Sequence, residues 1–257
     1  MLPNATIREI LRMYRSGEVS EDEAAAAIEG LRIDVLDGMA RIDAGRSVRC
    51  GMPEVVLAEG KDPLTFAEIM LAQVKAAGRC IATRVSPAHI EALRSRLPSD
   101  IRLEHRKAAR AVILSTGNGP DPRGGTVAIL TAGTSDIPVA EEARLIAEEM
   151  GCDVRTAYDV GVAGIHRLFS ALKDLIPADV FIVAAGREGT LPAIVAGLVD
   201  RPVIGVPVST GYGYMGGGEA ALASMLQACS VLAVVNIDAG FTAGAFAAQV
   251  AHGGGRR

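Results

Sequence analysis

The chain has 257 residues, a formal net charge of −4, 49% hydrophobic and 4% aromatic residues, and no tryptophan. This length fits one large domain or two small ones, and the apolar fraction suffices for a sizeable core of Ala, Val, Leu and Ile. We find no basic stripe with interleaved aromatics, no bilayer-spanning apolar run and no targeting signal. We therefore expect a cytoplasmic protein that binds neither nucleic acid nor membrane.

The N-terminal part, residues 1–124, is predicted to be an accessory α+β module. Helical spacing over residues 6–14 precedes a helix that starts at Ser20, where Ser20 and Glu23 have capping-box spacing. The remaining predicted elements are short strand-like pieces in 34–58, helices at 66–77 and 87–96, and strands at 80–83 and 111–114. The turn formers of residues 117–125 mark the domain boundary.

Strands and helices alternate in the second part, residues 125–257. We predict strands at 126–130, 154–158, 180–184, 203–206 and 232–235, and helices at 139–150, 164–175, 191–198, 219–227 and 242–250. This alternation predicts an α/β fold with a doubly wound, mainly parallel sheet covered by helices on both faces. The last helix is so apolar that it either faces the core or forms an oligomer interface.

Polar and glycine residues follow four of these strands where the strands end. The four segments are Gly133-Thr134-Ser135-Asp136, Gly186-Arg187-Glu188-Gly189, Ser209-Thr210-Gly211 and Asn236-Ile237-Asp238. Ligands of open α/β sheets bind beyond the carboxyl ends of the strands, where helix N-termini favour anions. Helix caps and turns explain each segment singly, but four on one edge favour a phosphate or carboxylate site.

The glycine-rich loop 211–218 contains Gly211-x-Gly213-x-x-Gly216, and Asp238 follows at roughly the distance of a ribose-binding acid. The dinucleotide fingerprint normally follows the first strand of its unit, whereas this loop follows the fourth. We therefore interpret the loop as backbone that closes tightly on a ligand rather than as a redox dinucleotide site.

Two side chains are candidates for chemistry. Glu188, at a strand end between two glycines, is a candidate general base, unless it only places negative charge at a helix N-terminus. Cys229, between the glycine-rich loop and the last strand, is either a nucleophile toward a bound nucleotide or a small hydrophobe. The four cysteines form no CxxC pair, so neither a zinc pattern nor a disulfide framework is indicated.

These motifs resemble the AIR carboxylase (PurE-like) superfamily over residues 126–248, and its LarB-type branch over most of the chain. The segments that carry the resemblance are residues 49–56, 59–61, 131–136, 185–189, 205–213, 227–229 and 234–241. The S-A-H-R-T-P stretch of AIR carboxylases is missing, since residues 158–166 read YDVGVAGIH. In the last loop Ala239 and Thr242 replace an expected Asn and Gly.

The resemblance implies a PurE-like, flavodoxin/Rossmann-type three-layer sandwich and an enzyme of nickel-pincer cofactor biosynthesis, which serves lactate racemase. Such an enzyme carboxylates the pyridinium ring of nicotinic acid adenine dinucleotide with CO2 and hydrolyses its phosphoanhydride. The products are pyridinium-3,5-biscarboxylic acid mononucleotide and AMP. The resemblance also implies Mg2+ as cofactor, with no ligand identified, and a homo-oligomer formed through the PurE-like domain.

The reactive cysteine of such enzymes falls on Cys229 and the strand-end glutamate on Glu188. A thiolate that adds to ring position 4 makes position 5 enamine-like, so that this carbon attacks CO2, and Glu188 then removes the ring proton. We expect Asn236 and Asp238 to orient the ring or Mg2+, and Arg49 and Lys61 to contact the substrate's carboxylate or adenylate half. The residues expected to hold phosphate and ribose are Gly133, Thr134, Ser135, Asp136, Gly186, Gly211, Tyr212 and Gly213.

Two alternatives stay open at this point. An AIR carboxylase or mutase of purine biosynthesis would need no cysteine. A non-catalytic nucleotide-binding protein would bind its ligand without turnover, and its N-terminal module would bind a partner protein.

Overall fold

The computed structural model describes residues 6–31, 33–36, 40–43, 45–117 and 119–254, so parts of the predicted segments 34–58 and 117–125 lie outside the described residues. The chain divides into two compact units. Unit 1 comprises Met1–Arg106 and Arg110–Asn118, and unit 2 comprises Lys107–Ala109 and Gly119–Arg257. Among the described helices, none combines the length and the apolar character needed to cross a membrane.

Unit 1 begins with two short helices, α1 (Ile7–Ser16) and α2 (Glu21–Glu29). The predicted capping box at the start of α2 is confirmed: the backbone N–H of Glu23 donates to the Ser20 hydroxyl at 3.2 Å, and the Ser20 N–H donates to the Glu23 carboxylate at 2.8 Å. The antiparallel pair β1 (Asp34–Leu36) and β2 (Ala40–Ile42) and a short helix α3 (Arg46–Cys50) follow.

The rest of unit 1 is a four-stranded sheet covered by two helices. Its elements in chain order are β3 (Val55–Leu57), α4 (Pro63–Ala77), β4 (Arg79–Thr83), α5 (Pro87–Arg96), β5 (Arg102–Arg106) and β6 (Ala111–Ser115). The strand order is β3-β4-β6-β5, with β3 parallel to β4 and the other pairs antiparallel. The sequence did not predict β5, because its Arg-Leu-Glu-His-Arg is a charged edge strand without an apolar pattern.

Unit 2 is the doubly wound domain. Its elements in chain order are β7 (Thr126–Thr131), α6 (Ile137–Glu149), β8 (Asp153–Ala157), α7 (His166–Leu175), β9 (Val180–Ala185), α8 (Leu191–Ala196), β10 (Val203–Pro207), α9 (Glu219–Leu226), β11 (Ala233–Val234) and α10 (Gly240–Gly254). The strands are ordered β8-β7-β9-β10-β11, and every neighbouring pair is parallel. The predicted parallel α/β sheet is confirmed.

Helices cover both faces of this sheet. The side chains of α7, α8 and α9 share one buried core with Leu130, Phe181 and Val183 of the strands. Because side chains alternate along a strand, the buried Ile129 and Ile182 belong to the opposite face. On that opposite face of the sheet, α6 and α10 pack against each other and against β7 and β9. The result is a three-layer sandwich with a flavodoxin-like strand order.

Small residues let α10 pack closely on α6. A Cβ added to Gly244 would lie 2.3 Å from the carbonyl oxygen of Ala143, and Ala243, Ala247 and Ala251 of the same helix are fully buried. The apolar character of this helix therefore comes from packing within unit 2, the first of the two alternatives given above.

We expect Gly244→Ala to lower the free energy of unfolding by about 1–3 kcal/mol, because the added methyl group forces α10 away from α6. The matched control is Gly253→Ala near the end of the same helix, where an added Cβ meets no atom within 4 Å. Alanine favours helix at both positions, so only the close contact separates the two variants. Chemical denaturation that shows equal stabilities would contradict this packing role.

Candidate active site

The carboxyl ends of β7 and β9 lie side by side where the chain changes direction across the sheet. After β7 the chain crosses to β8 on one side, and after β9 it continues to β10 and β11 on the other. Loops that leave adjacent parallel strands in opposite directions open a crevice, the usual ligand site of doubly wound sheets. A cavity of about 340 Å³ lies here, a volume within the range of small-molecule sites.

Seven of the predicted site residues line this cavity. They are Gly133, Ser135, Asp136, Gly186, Glu188, Gly211 and Tyr212. Thr134 is exposed on the turn that carries Ser135, and Gly213 lies two residues beyond Gly211, but neither lines the cavity. The loops after β7, β9 and β10 therefore meet, as their common position at strand ends predicts.

Asp136 is the buried acid of the site. Its carboxylate accepts a hydrogen bond from the Gly133 N–H at 2.8 Å and a long one from the Thr210 hydroxyl at 3.5 Å. Burial raises the pKa of Asp136 above its ordinary value, and the hydrogen bonds from Gly133, Gly186 and Thr210 oppose that rise. The carboxylate thus ties together the loops that follow β7, β9 and β10.

The loop after β8 brings an ion pair to the cavity. Asp159 has a left-handed backbone with φ 57°, and its N–H donates to the buried Thr131 hydroxyl at 3.0 Å. The carboxylate of Asp159 accepts from Arg167 Nη1 at 2.5 Å. Gly164 permits this arrangement, since a Cβ there would lie 2.8 Å from Arg167 Nε.

The loop after β9 carries Arg187 and Glu188, both exposed. Arg187 has φ 39°, and its Nη1 donates to the Tyr212 hydroxyl at 2.8 Å. The guanidinium carbon lies 4.8 Å from the centroid of the Tyr212 ring, a cation–π distance. Arg187 Nε lies 3.8 Å from Glu188 Oε2. A carboxylate and a cation from consecutive residues thus share one rim of the cavity.

Asn236 and Asp238 follow β11 at the same edge of the sheet but do not line the cavity. The Asp238 carboxylate accepts from the Ser209 N–H at 2.9 Å, and the Asp238 N–H donates to the Pro207 carbonyl at 2.9 Å. The Asn236 amide oxygen accepts from the Ile237 N–H. In this structure Asp238 braces the loop after β10, and the ring-orienting roles of both residues stay predictions.

Cys229 lies away from the cavity, although the sequence places it just after the glycine-rich loop. Ala221, in the first turn of α9, packs against Gly189 at the cavity edge. Helix α9 has eight residues and is therefore about 12 Å long, and the chain runs along it away from the cavity. Beyond them Ser230 lies near Gly197, which ends α8 before β10 begins. Within one chain Cys229 is therefore at the amino edge of the sheet and Glu188 at the carboxyl edge.

Arg49 and Lys61 belong to unit 1. The Arg49 guanidinium donates to the Gly30 carbonyl at 2.6 Å and forms an ion pair with Asp43. The side chain of Lys61 is exposed, and its carbonyl accepts from His89 Nε2 at 3.0 Å. The predicted contacts of these two cations with substrate stay predictions.

The expected Mg2+ ion has no protein-made site in the described part of the chain, which contains no group of three or more His, Cys, Asp or Glu side chains placed to hold a metal. In the cavity Asp159 is paired with Arg167, and Asp136 is bonded to backbone donors. Proteins commonly hold Mg2+ through one or two carboxylates plus substrate phosphates. These residues do not fit a dedicated magnesium centre.

The sequence patterns gave no individual role to five polar or charged residues that line the cavity: Asp159, Arg167, Arg187, Thr190 and Thr210. One signal was present: His166 and Arg167 open α7, although the positive end of the helix dipole disfavours cations. A charge placed against local preference often marks a functional site. Asp159 had no comparable signal, because its approach to β7 depends on the Thr131 hydroxyl.

The fold and the cavity together define an α/β domain with a small-molecule-sized crevice at its topological switch point. Residues 126–254 match the family model described as AIR carboxylase, and residues 34–116 match that of the LarB/PurE-like N-terminal domain. The chain therefore belongs to the AIR carboxylase (PurE-like) superfamily and is of LarB type. This family is enzymatic, of carboxylase or mutase type.

Relatives match either the whole chain or one half of it. An uncharacterized protein of Methanocaldococcus jannaschii is 43% identical over 254 residues, which is 95% of this chain and 96% of the relative. The N5-carboxyaminoimidazole ribonucleotide mutase of the same organism is 34% identical over 128 residues, 48% of this chain and 77% of the relative. A probable mutase of this name from Methanothermobacter thermautotrophicus is 36% identical over 131 residues, 48% of this chain and 37% of the relative.

The raised pKa of Asp136 makes stability depend on pH in one direction. Just above pH 3.8, the ordinary value, the folded protein holds the Asp136 proton while the unfolded chain releases it. The contribution of Asp136 to stability is thus present below that pH and is lost as pH rises through the folded-state pKa. We compare the free energy of unfolding of the wild type with that of Asp136→Asn. The wild-type value minus the variant value should decrease as the pH rises from about 4 toward neutrality.

Chemical denaturation of both proteins across this pH range measures the difference. Hydrogen bonds lost in the variant change its free energy of unfolding by a constant amount that does not depend on pH. All other titrating groups are the same in both proteins, so their pH dependence cancels in the difference. A difference that is flat, or that increases with pH, would show that the hydrogen bonds to Asp136 cancel or outweigh its desolvation, so that folding does not raise its pKa.

Proposed function

We propose that this protein carboxylates the pyridinium ring of nicotinic acid adenine dinucleotide with CO2 and hydrolyses its phosphoanhydride. The products would be pyridinium-3,5-biscarboxylic acid mononucleotide and AMP, for the nickel-pincer cofactor of lactate racemase. The observation that carries the proposal is the presence of an AIR carboxylase domain and a LarB-type N-terminal domain in one chain. The chemistry of the cavity supports it.

The cavity offers two arginines to the anionic groups of the substrate and product, next to the acidic residues Asp136, Asp159 and Glu188. Arg167 and Arg187 line it, and arginine keeps its charge at all physiological pH values. The helical turn Thr134–Asp136 leads directly into α6, whose positive dipole end at this edge of the sheet favours anions. Magnesium would enter bound to the substrate phosphates, because proteins commonly hold Mg2+ through such phosphates, waters and one or two carboxylates.

The reaction needs a nucleophile that is also a good leaving group. A thiolate adds to ring carbon C4, and the electron pair displaced toward N1 gives a dihydropyridine that is enamine-like at C5. C5 then attacks CO2, forming a C–C bond and a carboxylate and leaving an iminium at N1. Glu188 removes the C5 proton, which restores the enamine, and loss of the thiolate from C4 restores the aromatic pyridinium.

Cys229 is the thiol best suited to this role in unit 2. Burial raises the pKa of Cys152 to about 11, and burial likewise raises the pKa of Cys80 in unit 1, so both favour the unreactive thiol form. Cys229 is exposed. Its distance from Glu188 within one chain requires that the two residues meet across copies of the chain, and we propose a homo-oligomer of this kind.

The surroundings of Cys229 support such an interface. Leu226 and Val231 flank the cysteine with 66% and 93% of their surface exposed. Large apolar side chains exposed together mark surfaces that another protein covers. An interface that covers them would also exclude water from the thiol and place it next to a neighbouring copy. The exposed Tyr212 at the cavity rim offers a contact surface for that copy.

A ribonucleotide mutase of purine biosynthesis is the second candidate, because relatives with that name match about half of this chain. The cavity lies within residues 126–254, which match the AIR carboxylase family model. That reaction would need only the cavity and no thiol. Incubation with N5-carboxyaminoimidazole ribonucleotide tests it, and turnover that survives Cys229→Ala would favour it.

The first test incubates the purified protein with nicotinic acid adenine dinucleotide, Mg2+ and isotopically labelled bicarbonate, with products identified by mass spectrometry. We expect labelled biscarboxylated mononucleotide together with AMP. Cys229→Ala and Cys229→Ser should lower label incorporation by about 10³-fold or more, because no other side chain replaces the nucleophile. Cys50→Ala, which removes the exposed thiol of unit 1, is the matched control and should keep wild-type activity. Wild-type rates in the Cys229 variants would refute the thiolate mechanism.

The shared site has its own test, in which Cys229→Ala and Glu188→Gln chains are unfolded together, refolded and assayed. Each variant alone should be inactive. If a site takes Cys229 from one copy and Glu188 from another, mixed assemblies contain some sites with both residues intact, and random mixing restores about a quarter of wild-type activity. No recovery in assemblies shown to be mixed would place both residues in one chain's own site. Refolded wild-type protein is the control.

A further inference from the structure

We propose that Arg187 binds the CO2 molecule and the new carboxylate during carboxylation, and is thus a catalytic residue. This assignment rests on the proposed function, and it identifies the CO2 site within it. It follows from where the backbone, Tyr212 and Glu188 hold the guanidinium group.

The backbone of Arg187 is held in an unfavourable conformation. Its φ of 39° lies in the left-handed region, which non-glycine residues adopt rarely. Gly211 packs directly on it, since a Cβ at Gly211 would lie 2.6 Å from the Arg187 nitrogen. Gly189 is similarly enclosed by Ala221 of α9, with a Cβ distance of 2.6 Å to the Ala221 carbonyl oxygen. Local strain of this kind persists where surrounding packing enforces it, often at active sites.

The guanidinium of Arg187 is fixed at the cavity rim. Tyr212 accepts a hydrogen bond from Nη1 at 2.8 Å and stacks its ring 4.8 Å from the guanidinium carbon. A guanidinium has five N–H donors in one plane, and this bond uses one of them. The Nε atom lies on the side of Glu188, 3.8 Å from its Oε2 atom. That distance is too long for a hydrogen bond, so the two charges are neighbours without being locked together.

The reaction requires two such neighbours. When C5 has attacked CO2, the same ring carbon carries the new carboxylate and the proton that must leave. The group that stabilises the carboxylate and the base that takes the proton must therefore lie next to each other. Arg187 and Glu188 are consecutive residues of one strained turn, both line the cavity, and they carry the required charges. Negative charge develops on the CO2 oxygens only as the bond forms, so a preorganised arginine acts selectively on the transition state.

Arg167 is less suited to this task. Its Nη1 donates to the Asp159 carboxylate at 2.5 Å, so an existing ion pair already holds this guanidinium away from Glu188. It also lies in the first turn of α7, which follows β8, whereas Glu188 is on the loop after β9. We assign Arg167 to the phosphates of the dinucleotide, whose charge is present before the reaction starts.

The test compares the initial rates of Arg187→Gln, Arg187→Lys and Arg167→Gln. In one series bicarbonate is varied at saturating dinucleotide, and in the other the dinucleotide is varied at saturating bicarbonate. For Arg187→Gln we expect kcat/KM for bicarbonate to fall by about 10²–10³-fold, as for loss of one preorganised charge donor, with KM for the dinucleotide changed little. Arg187→Lys keeps the charge without the planar fork and should recover part of the loss. Arg167→Gln should show the opposite pattern, a raised KM for the dinucleotide with bicarbonate dependence unchanged.

A second readout isolates the steps before CO2 arrives. Without bicarbonate, thiolate addition converts the pyridinium to a dihydropyridine, whose near-ultraviolet absorbance reports the adduct. Arg187→Gln should still form it to the wild-type extent, whereas Cys229→Ala should not. Loss of the adduct together with a raised KM for the dinucleotide would instead assign Arg187 to the substrate's own carboxylate and overturn the proposal.

Two other results would also overturn it. A shifted pH profile with unchanged bicarbonate dependence would mean that Arg187 acts only through the charge of Glu188. Wild-type kinetics in Arg187→Gln would remove it from the mechanism. A wild-type enzyme that neither forms the adduct nor incorporates label would contradict the proposed function itself, so the two failures are distinguishable.

Discussion

The parallel pairing of β7 with β9 is the constraint on which the site depends. The two strands are in register from Val127 opposite Val180 to Thr131 opposite Ala184, so both end at the same level. The loops that leave them must then share one crevice, and Asp136 fills the space between them. Gly186 lies next to this carboxylate: a Cβ added at Gly186 would be only 3.3 Å from an Asp136 carboxylate oxygen, so a larger residue would crowd it. A slip of the register would separate the two halves of the cavity.

Backbone strain in unit 2 is concentrated at this edge of the sheet. Among the described residues of unit 2, the non-glycine residues with left-handed φ are Asp159, Arg187 and Asp238, and each follows the carboxyl end of a strand. Each is held by a specific neighbour: the Thr131 hydroxyl, the glycine backbone at 211, and the Ser209 N–H respectively. The structure therefore uses tertiary hydrogen bonds and close packing to hold conformations that the local sequence disfavours.

In the proposed function, the separation of Cys229 from the cavity gives the thiol and the cavity residues separate tasks. The cavity with its buried acid lies within residues 126–254, which match the AIR carboxylase family model. A thiol delivered from a neighbouring copy would add covalent catalysis without rebuilding that cavity. The Arg187–Glu188 pair would then supply charge stabilisation and proton removal beside it, so each group has a task set by its position.

The sequence by itself determined the alternation of strands and helices in unit 2, the parallel sheet, the capping box at Ser20, and the meeting of three loops at one edge. These follow from local hydrophobic periodicity and from the fact that parallel strands share a direction. It did not reveal β5, the Asp159–Arg167 pair or the remote position of Cys229. Closeness along the chain suggested that the cysteine adjoins the glycine-rich loop, but α9 carries it across the sheet. Only the tertiary structure decides such distances, because the direction in which a helix runs is set by its packing: the eight residues of α9 span about 12 Å, away from the cavity.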